Sequence, residues 1–167
     1  MSARINLPHA RQGYRAPARS NSRWLPGLSP YWRETFGPAT VLRTETRVWW
    51  GQAKRDLKIA RLTHERRAYD AAVFFCEQAV QKSPKALIIH RTSKMPPRIH
   101  NLPELGRLVG FPADMSKFLA ELQPHYIRTR YPDAAGAVTD ELYDGRLSLH
   151  FLRGASKVLA WVRNRLR

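Results

Sequence analysis

Cysteine is almost missing from this sequence, and long apolar runs are missing altogether. Cys76 is the only thiol in 167 residues, so the chain can form neither an internal disulfide nor a cysteine cluster for zinc, which fits a reducing compartment. Charged residues or prolines break every hydrophobic stretch well short of membrane-spanning length, and no secretory signal is visible. A cytoplasmic protein without membrane association is expected. Acidic residues are scarce too: 13 Asp and Glu face 29 Lys and Arg, giving a formal net charge of +16 and a pI near 11.0. Such an excess points to an anionic partner, whether phosphate backbone, acidic lipid surface or acidic protein, bound less tightly as salt rises. The competing reading is an Arg-rich surface that only solubilises the fold or builds ion-pair networks.

Several chemistries lack their sequence signals. There is no Gly-rich phosphate loop, no HExxH, no nucleophile elbow and no pair of histidines at metal-ligand spacing on a helix. No metal or cofactor is expected. No segment alternates convincingly enough for a strand, which leaves an all-α architecture.

What is present divides at about residue 43. Residues 1–43 hold seven arginines against one acid, prolines at 8, 17, 26, 30 and 38, and no sustained apolar period, so they read as a basic, mostly extended tail. Trp24, Leu25, Tyr31, Trp32 and Phe36 are candidates for short docking contacts on the bundle or a partner. The Arg-rich, acid-poor start also has the composition of an organellar transit peptide, although Pro8 and Pro17 break any amphipathic helix.

Residues 44–167 carry helical periodicity, and 167 residues bury one core rather than two. The first helix is expected over about 46–66, capped by Thr44 or Thr46, with Trp49, Ala53, Leu57 and Ala60 inward and Lys54, Arg55, Lys58, Arg61 and Arg66 outward. A second is expected from Asp70, as cap, to about Arg91, bent near residues 80–84 because Pro84 removes an amide and crowds the Val80 carbonyl. Asn101 should cap a short helix through Val109, stopped by Gly110 and Pro112. A fourth spans about 115–130 and should kink or divide at Pro124; the last runs from Arg146 to Arg165. The expected fold is an up-and-down bundle of four to five helices with kinked second and fourth helices.

Four phrases now come together: WGQAKRDL at 50–57, QAVQKSPKAL at 78–87, HNLPEL at 100–105 and YIRTRYPD at 126–133. In this order they resemble the HEPN domain family over most of residues 44–167. The resemblance implies an up-and-down helical bundle, often dimeric and commonly encoded beside a minimal nucleotidyltransferase. It also implies ties to nucleotide binding, RNA cleavage or toxin–antitoxin systems. The family's RNases carry an Arg followed by four to six residues and a His. None of His64, His90, His100, His125 or His150 has an arginine at that distance; Arg146 to His150 is one residue short, and only Arg4 to His9, in the tail, fits. The chain therefore resembles an accessory binding protein more than a self-sufficient enzyme. A metal-independent RNase with a non-standard site and a purely structural bundle stand as alternatives. Tyr126 and Tyr131 are the acceptors to examine if a partner adenylylates the protein, a theme of the family.

The candidate site is expected where the end of the second helix, the HNL loop and the YIRTRYPD segment converge. There Lys82, Lys85, His90, Arg91, His100, Asn101, Arg128, Arg130 and Tyr131 would gather to bind a nucleotide or RNA phosphate. Lysines and arginines would neutralise phosphate, the amides after Asn101 would hold an anion at a helix start, and Tyr131 would stack on a base. Each also has a structural role to play, Asn101 as a cap and the lysines as solvated charges. Asp56, a lone acid among cations, reads as an ion-pair partner, and Cys76 as a buried apolar residue.

Overall fold

The computed structural model describes residues 38–166, with side chains from Thr44 onward. The expected tail contacts of Trp24, Leu25, Tyr31, Trp32 and Phe36, and the Arg4 to His9 spacing, lie outside the described residues. Among the described residues the structure is all-helical. Helix α1 (Pro38–Glu65) and helix α2 (Tyr69–Thr92) form an antiparallel hairpin. The short helices α3 (Leu102–Val109) and α4 (Ala113–Leu122) follow, then two single turns, α5 (His125–Arg128) and α6 (Pro132–Ala135). A 3-10 turn (Thr139–Leu142) leads into the closing helix α7 (Gly145–Arg163), which packs on α2 and α1. No helix among the described residues is long and apolar enough to cross a membrane.

The core assembles from the expected faces. Ala53, Leu57 and Ala60 of α1 meet Val73, Cys76, Ala79, Val80 and Leu87 of α2, and Phe151, Ala155, Val158 and Val162 of α7 close over them. Alanines at the α1–α2 contact let two long helices approach closely, while Phe151, fully buried, fills the wider space toward α4 and α5. Burial pushes the Cys76 thiol up to about 12, so the group behaves as a small apolar side chain.

Three local expectations change. Helix α1 starts at Pro38 rather than near 46, because proline is well tolerated in the first turn and nothing between 39 and 45 breaks a helix; Thr44 and Thr46 lie inside it, not at its cap. Asp70 is not the cap of α2. Ala68 occupies that position, and the Asp70 carboxylate instead accepts from Thr139 Oγ1 at 3.1 Å, tying the 3-10 turn to the start of α2. The last helix has a cap absent from the expectation, Asp144, whose Oδ1 accepts from the Leu147 amide at 2.7 Å.

The proline effects fall where expected. Pro124 ends the fourth helix, separating α4 from α5. At Pro84 the helix stays continuous, and the Val80 carbonyl that lacks an amide donor accepts instead from Ser83 Oγ at 3.3 Å. Asn101 caps α3 as expected, its Oδ1 accepting from the Glu104 amide at 2.8 Å. Gly110 ends α3 at φ +77°, a left-handed conformation that a residue with a Cβ rarely adopts.

Candidate phosphate-binding site

The nine residues singled out from the sequence do not form one pocket. The reason is that α2 is one long continuous helix. Phe74, near its start, touches Arg130, whereas Arg91 sits near its end, about 25 Å further along at 1.5 Å per residue. The structure therefore sorts the nine into separate neighbourhoods.

Lys82 and Lys85 face α1. Lys82 Nζ lies 2.7 Å from Asp56 Oδ2 and donates to Gln78 Oε1 at 2.7 Å, and Gln52 holds the other Asp56 oxygen at 2.7 Å. Lys85 is buried, with its ammonium over the Trp49 ring at 5.5 Å, and desolvation lowers its pKa. Beside them Glu77 is fully buried and takes hydrogen bonds from Gln78 and Gln81. Burial raises its carboxyl to about 7 despite those donors and the two lysines. This interior polar ladder couples α1 to α2, and its cations are already engaged.

Arg91 is also committed, donating to the Val109 carbonyl at 2.9 Å at the end of α3, with His90 exposed next to it. His100 and Asn101 are exposed at the start of α3, where the Leu102 amide donates to Gln123 Oε1. That contact brings the HNL loop to the end of α4, two residues before α5. The HNL and YIRTRYPD phrases are thus joined, while the end of α2 stands apart.

Around α5 the chemistry is different. Arg130 stacks over Phe74 at 5.0 Å and Tyr126 at 5.9 Å, and Tyr131 is half exposed. Arg128 lines a pocket of about 370 Å³ together with His125, Ala134, Ala135, Leu142, Tyr143 and Leu147. Sequence reasoning missed His125 and Tyr143 as members of this site. Their contact spans 18 residues and two turns, and the only available signal was a histidine directly before the YIRTRYPD phrase.

His125 Nδ1 lies 2.7 Å from Tyr143 Oη, and its ring packs on Phe151 with centroids 4.6 Å apart. Burial, with the Arg128 charge adding to it, lowers the His125 pKa. Burial raises the Tyr143 hydroxyl to about 12. The imidazole tautomer sets the direction of this bond: where the phenol donates to Nδ1 the ring proton resides on Nε2 as a further donor, and where Nδ1–H donates to the phenol oxygen Nε2 is a free acceptor. Arg128 forms no ion pair among the described residues. A guanidinium without an ion-pair partner beside an imidazole and a phenol makes a site suited to a phosphate or another oxyanion.

A helical bundle whose connecting turns hold an arginine–histidine pocket is the class that fold and site define. The HEPN domain family matches residues 46–165, well over half of the chain, and the protein belongs to that family. The crystal structure of TT1696 from Thermus thermophilus is similar at 28% identity and a TM-score of 0.64, covering 72% of this chain and 97% of that one. ST0689, described as an archaeal HEPN homologue, is similar at 28% identity and a TM-score of 0.64, covering 73% of this chain and 98% of its own. Among curated proteins no match is found.

Proposed function

We propose that this protein is a nucleotide- or RNA-associated accessory module that works beside a nucleotidyltransferase partner, in the manner of a toxin–antitoxin pair, with α5 and its flanking turns as the phosphate-binding region. The observation that carries the reading is Arg128, a guanidinium without an ion-pair partner among the described residues, in one pocket with His125 and Tyr143. Arg130, Tyr131 and the exposed His100 and Asn101 extend the region toward a base or a second phosphate. Lys82, Lys85 and Arg91 support the fold around it rather than the ligand. Ile127, Tyr131, Val138 and Leu142 remain exposed in the segment that walls the pocket, which suits a protein partner there, either a second copy of the chain or the nucleotidyltransferase.

Titration calorimetry at low salt with AMP, ATP and a short RNA tests the reading. Binding that weakens at least about tenfold in Arg128→Ala supports it. Failure to bind any of the three in low salt removes it and leaves a structural bundle. A second reading, a metal-independent RNase, gains from the same pocket because His125, in the tautomer whose Nδ1–H donates to Tyr143, leaves Nε2 free to take up a proton while Arg128 holds developing charge. Cleavage of mixed RNA that disappears in His125→Ala would replace the accessory reading with the enzymatic one.

A further inference from the structure

A second concave feature, larger than that pocket, lies between α4 and α7, with a volume of about 510 Å³. One wall is a row on α7, Arg146, His150, Arg153 and Lys157, at intervals of four, three and four residues, so the side chains share a face over about 16 Å of helix. Lys117 of α4 stands opposite. The acids that face the row are Asp114 and Glu121, and Glu121 is engaged by His150, Nε2 to Oε1 at 3.0 Å. Arg146, Arg153, Lys157 and Lys117 make no ion pair among the described residues. Like charges one turn apart on a helix repel, and Asp114 and Glu121 offset that repulsion from across the groove without an ion pair to the arginines or lysines.

The floor of the groove is apolar and holds one phenyl ring, Phe118, beside Met115, Leu149 and Val158. Gly154 lacks a Cβ that would collide with the Phe118 ring, so Phe118 lies directly against the α7 backbone, edge-on to His150 with centroids 6.4 Å apart. A cationic rim over an apolar floor with an aromatic ring suits single-stranded nucleic acid, phosphates on the rim and a base on the ring. A cleft between two neighbouring helices, whose axes pack roughly 8–10 Å apart, suits one strand better than a duplex. At its upper end the groove begins at Arg146, one residue before Leu147, which lines the Arg128 pocket, and Phe151 packs between His125 and His150.

We infer that the α4–α7 groove is a track for a single-stranded phosphodiester chain, held along Arg146, Arg153 and Lys157 with Lys117 opposite and leading toward the Arg128 pocket. The inference deepens the nucleic-acid reading above but rests on different residues.

Fluorescence anisotropy on the full-length chain tests it, using labelled oligouridylate and oligothymidylate of roughly a dozen nucleotides and a duplex of equal length across a salt series. Any polyanion binding by the Arg-rich residues 1–43 is common to every variant, so the readout is the difference from wild type. In Arg153→Ala/Lys157→Ala the single-strand affinity should fall at least about tenfold. The slope of log K against log salt should become shallower by about 1.4, the value for two lost phosphate contacts. Lys117→Ala should lose roughly half that slope change. Preference for oligouridylate identifies the strand as RNA, and the reverse order as DNA. An unchanged affinity and slope in a double variant that melts like wild type, or a duplex that competes as well as the single strand, overturns the proposal. Arg128→Ala should weaken mononucleotide binding while leaving the salt-slope difference intact, so the groove and the pocket fail separately.

Discussion

The α1–α2 contact and the α4–α5–α7 side use the same residue types for opposite purposes. In the hairpin interior the buried charges have company: Asp56 holds Lys82 and Gln52, Glu77 takes hydrogen bonds from two side-chain amides, and Lys85 rests on an indole. On the other side Arg128, Arg146, Arg153 and Lys157 make no ion pair among the described residues, and the pairing of His150 with Glu121 is half exposed. Buried charges must be paired to be tolerated, whereas unpaired charges are stable only in water or against a ligand. The contrast thus separates cations that hold the fold from cations that can meet an anion, a distinction that net charge does not make.

The strongest way to break the contrast is to orphan a buried member of the hairpin. Asp56→Ala leaves Lys82 and Gln52 without their shared acceptor and should destabilise the protein by roughly 3 kcal/mol, read as a lowered denaturation midpoint at unchanged m-value. Next comes the groove floor. Gly154→Ala sets a methyl against the Phe118 ring, and the overpacking should outweigh the gain in helix propensity, a net loss of about 1 to 2 kcal/mol in the same measurement.

A smaller effect appears as pH dependence. Glu77 has a folded pKa of about 7, above its ordinary 4.5, so it favours the fold fully below pH 4.5 and this contribution is lost as pH rises through 7. His125 runs the other way. Its folded pKa lies below the ordinary 6.5, so its contribution is present above 6.5 and is lost as pH falls through the depressed value. Glu77→Gln should therefore gain relative stability between pH 5 and 8, and His125→Phe should flatten the acid side; a Glu77→Gln melting profile parallel to wild type would refute the first. Least of all, Arg128→Ala and Arg153→Ala should change stability by no more than about 0.5 kcal/mol, because neither has a partner to lose. Thermal melts would expose a hidden structural role as a larger drop.

The helices were legible because their signals are local. Apolar spacing located α2, α3 and α7 within a few residues, and Asn101, Gly110 and Pro124 marked real boundaries. The resemblance to HEPN proteins was readable from four short phrases and holds over residues 46–165. The site was less legible because its members meet across the fold. Lys82 and Lys85 had the composition of a phosphate site, but their partners lie on another helix, where Asp56 and Trp49 claim them. His125 acquires its character from Tyr143 and Phe151, and the groove exists only because a glycine on α7 faces a phenylalanine on α4. Such pairings depend on how helices cross, and periodicity along one chain carries no record of that.

The solitary thiol turns into an instrument. Cys76 is sealed in the bundle centre with no second sulfur to exchange with, and its high pKa denies reagents a thiolate while the helices stay together. Alkylation of this protein therefore clocks how often the interior parts, and slower labelling in the presence of a nucleotide or an oligonucleotide would report occupancy from a position that touches neither ligand.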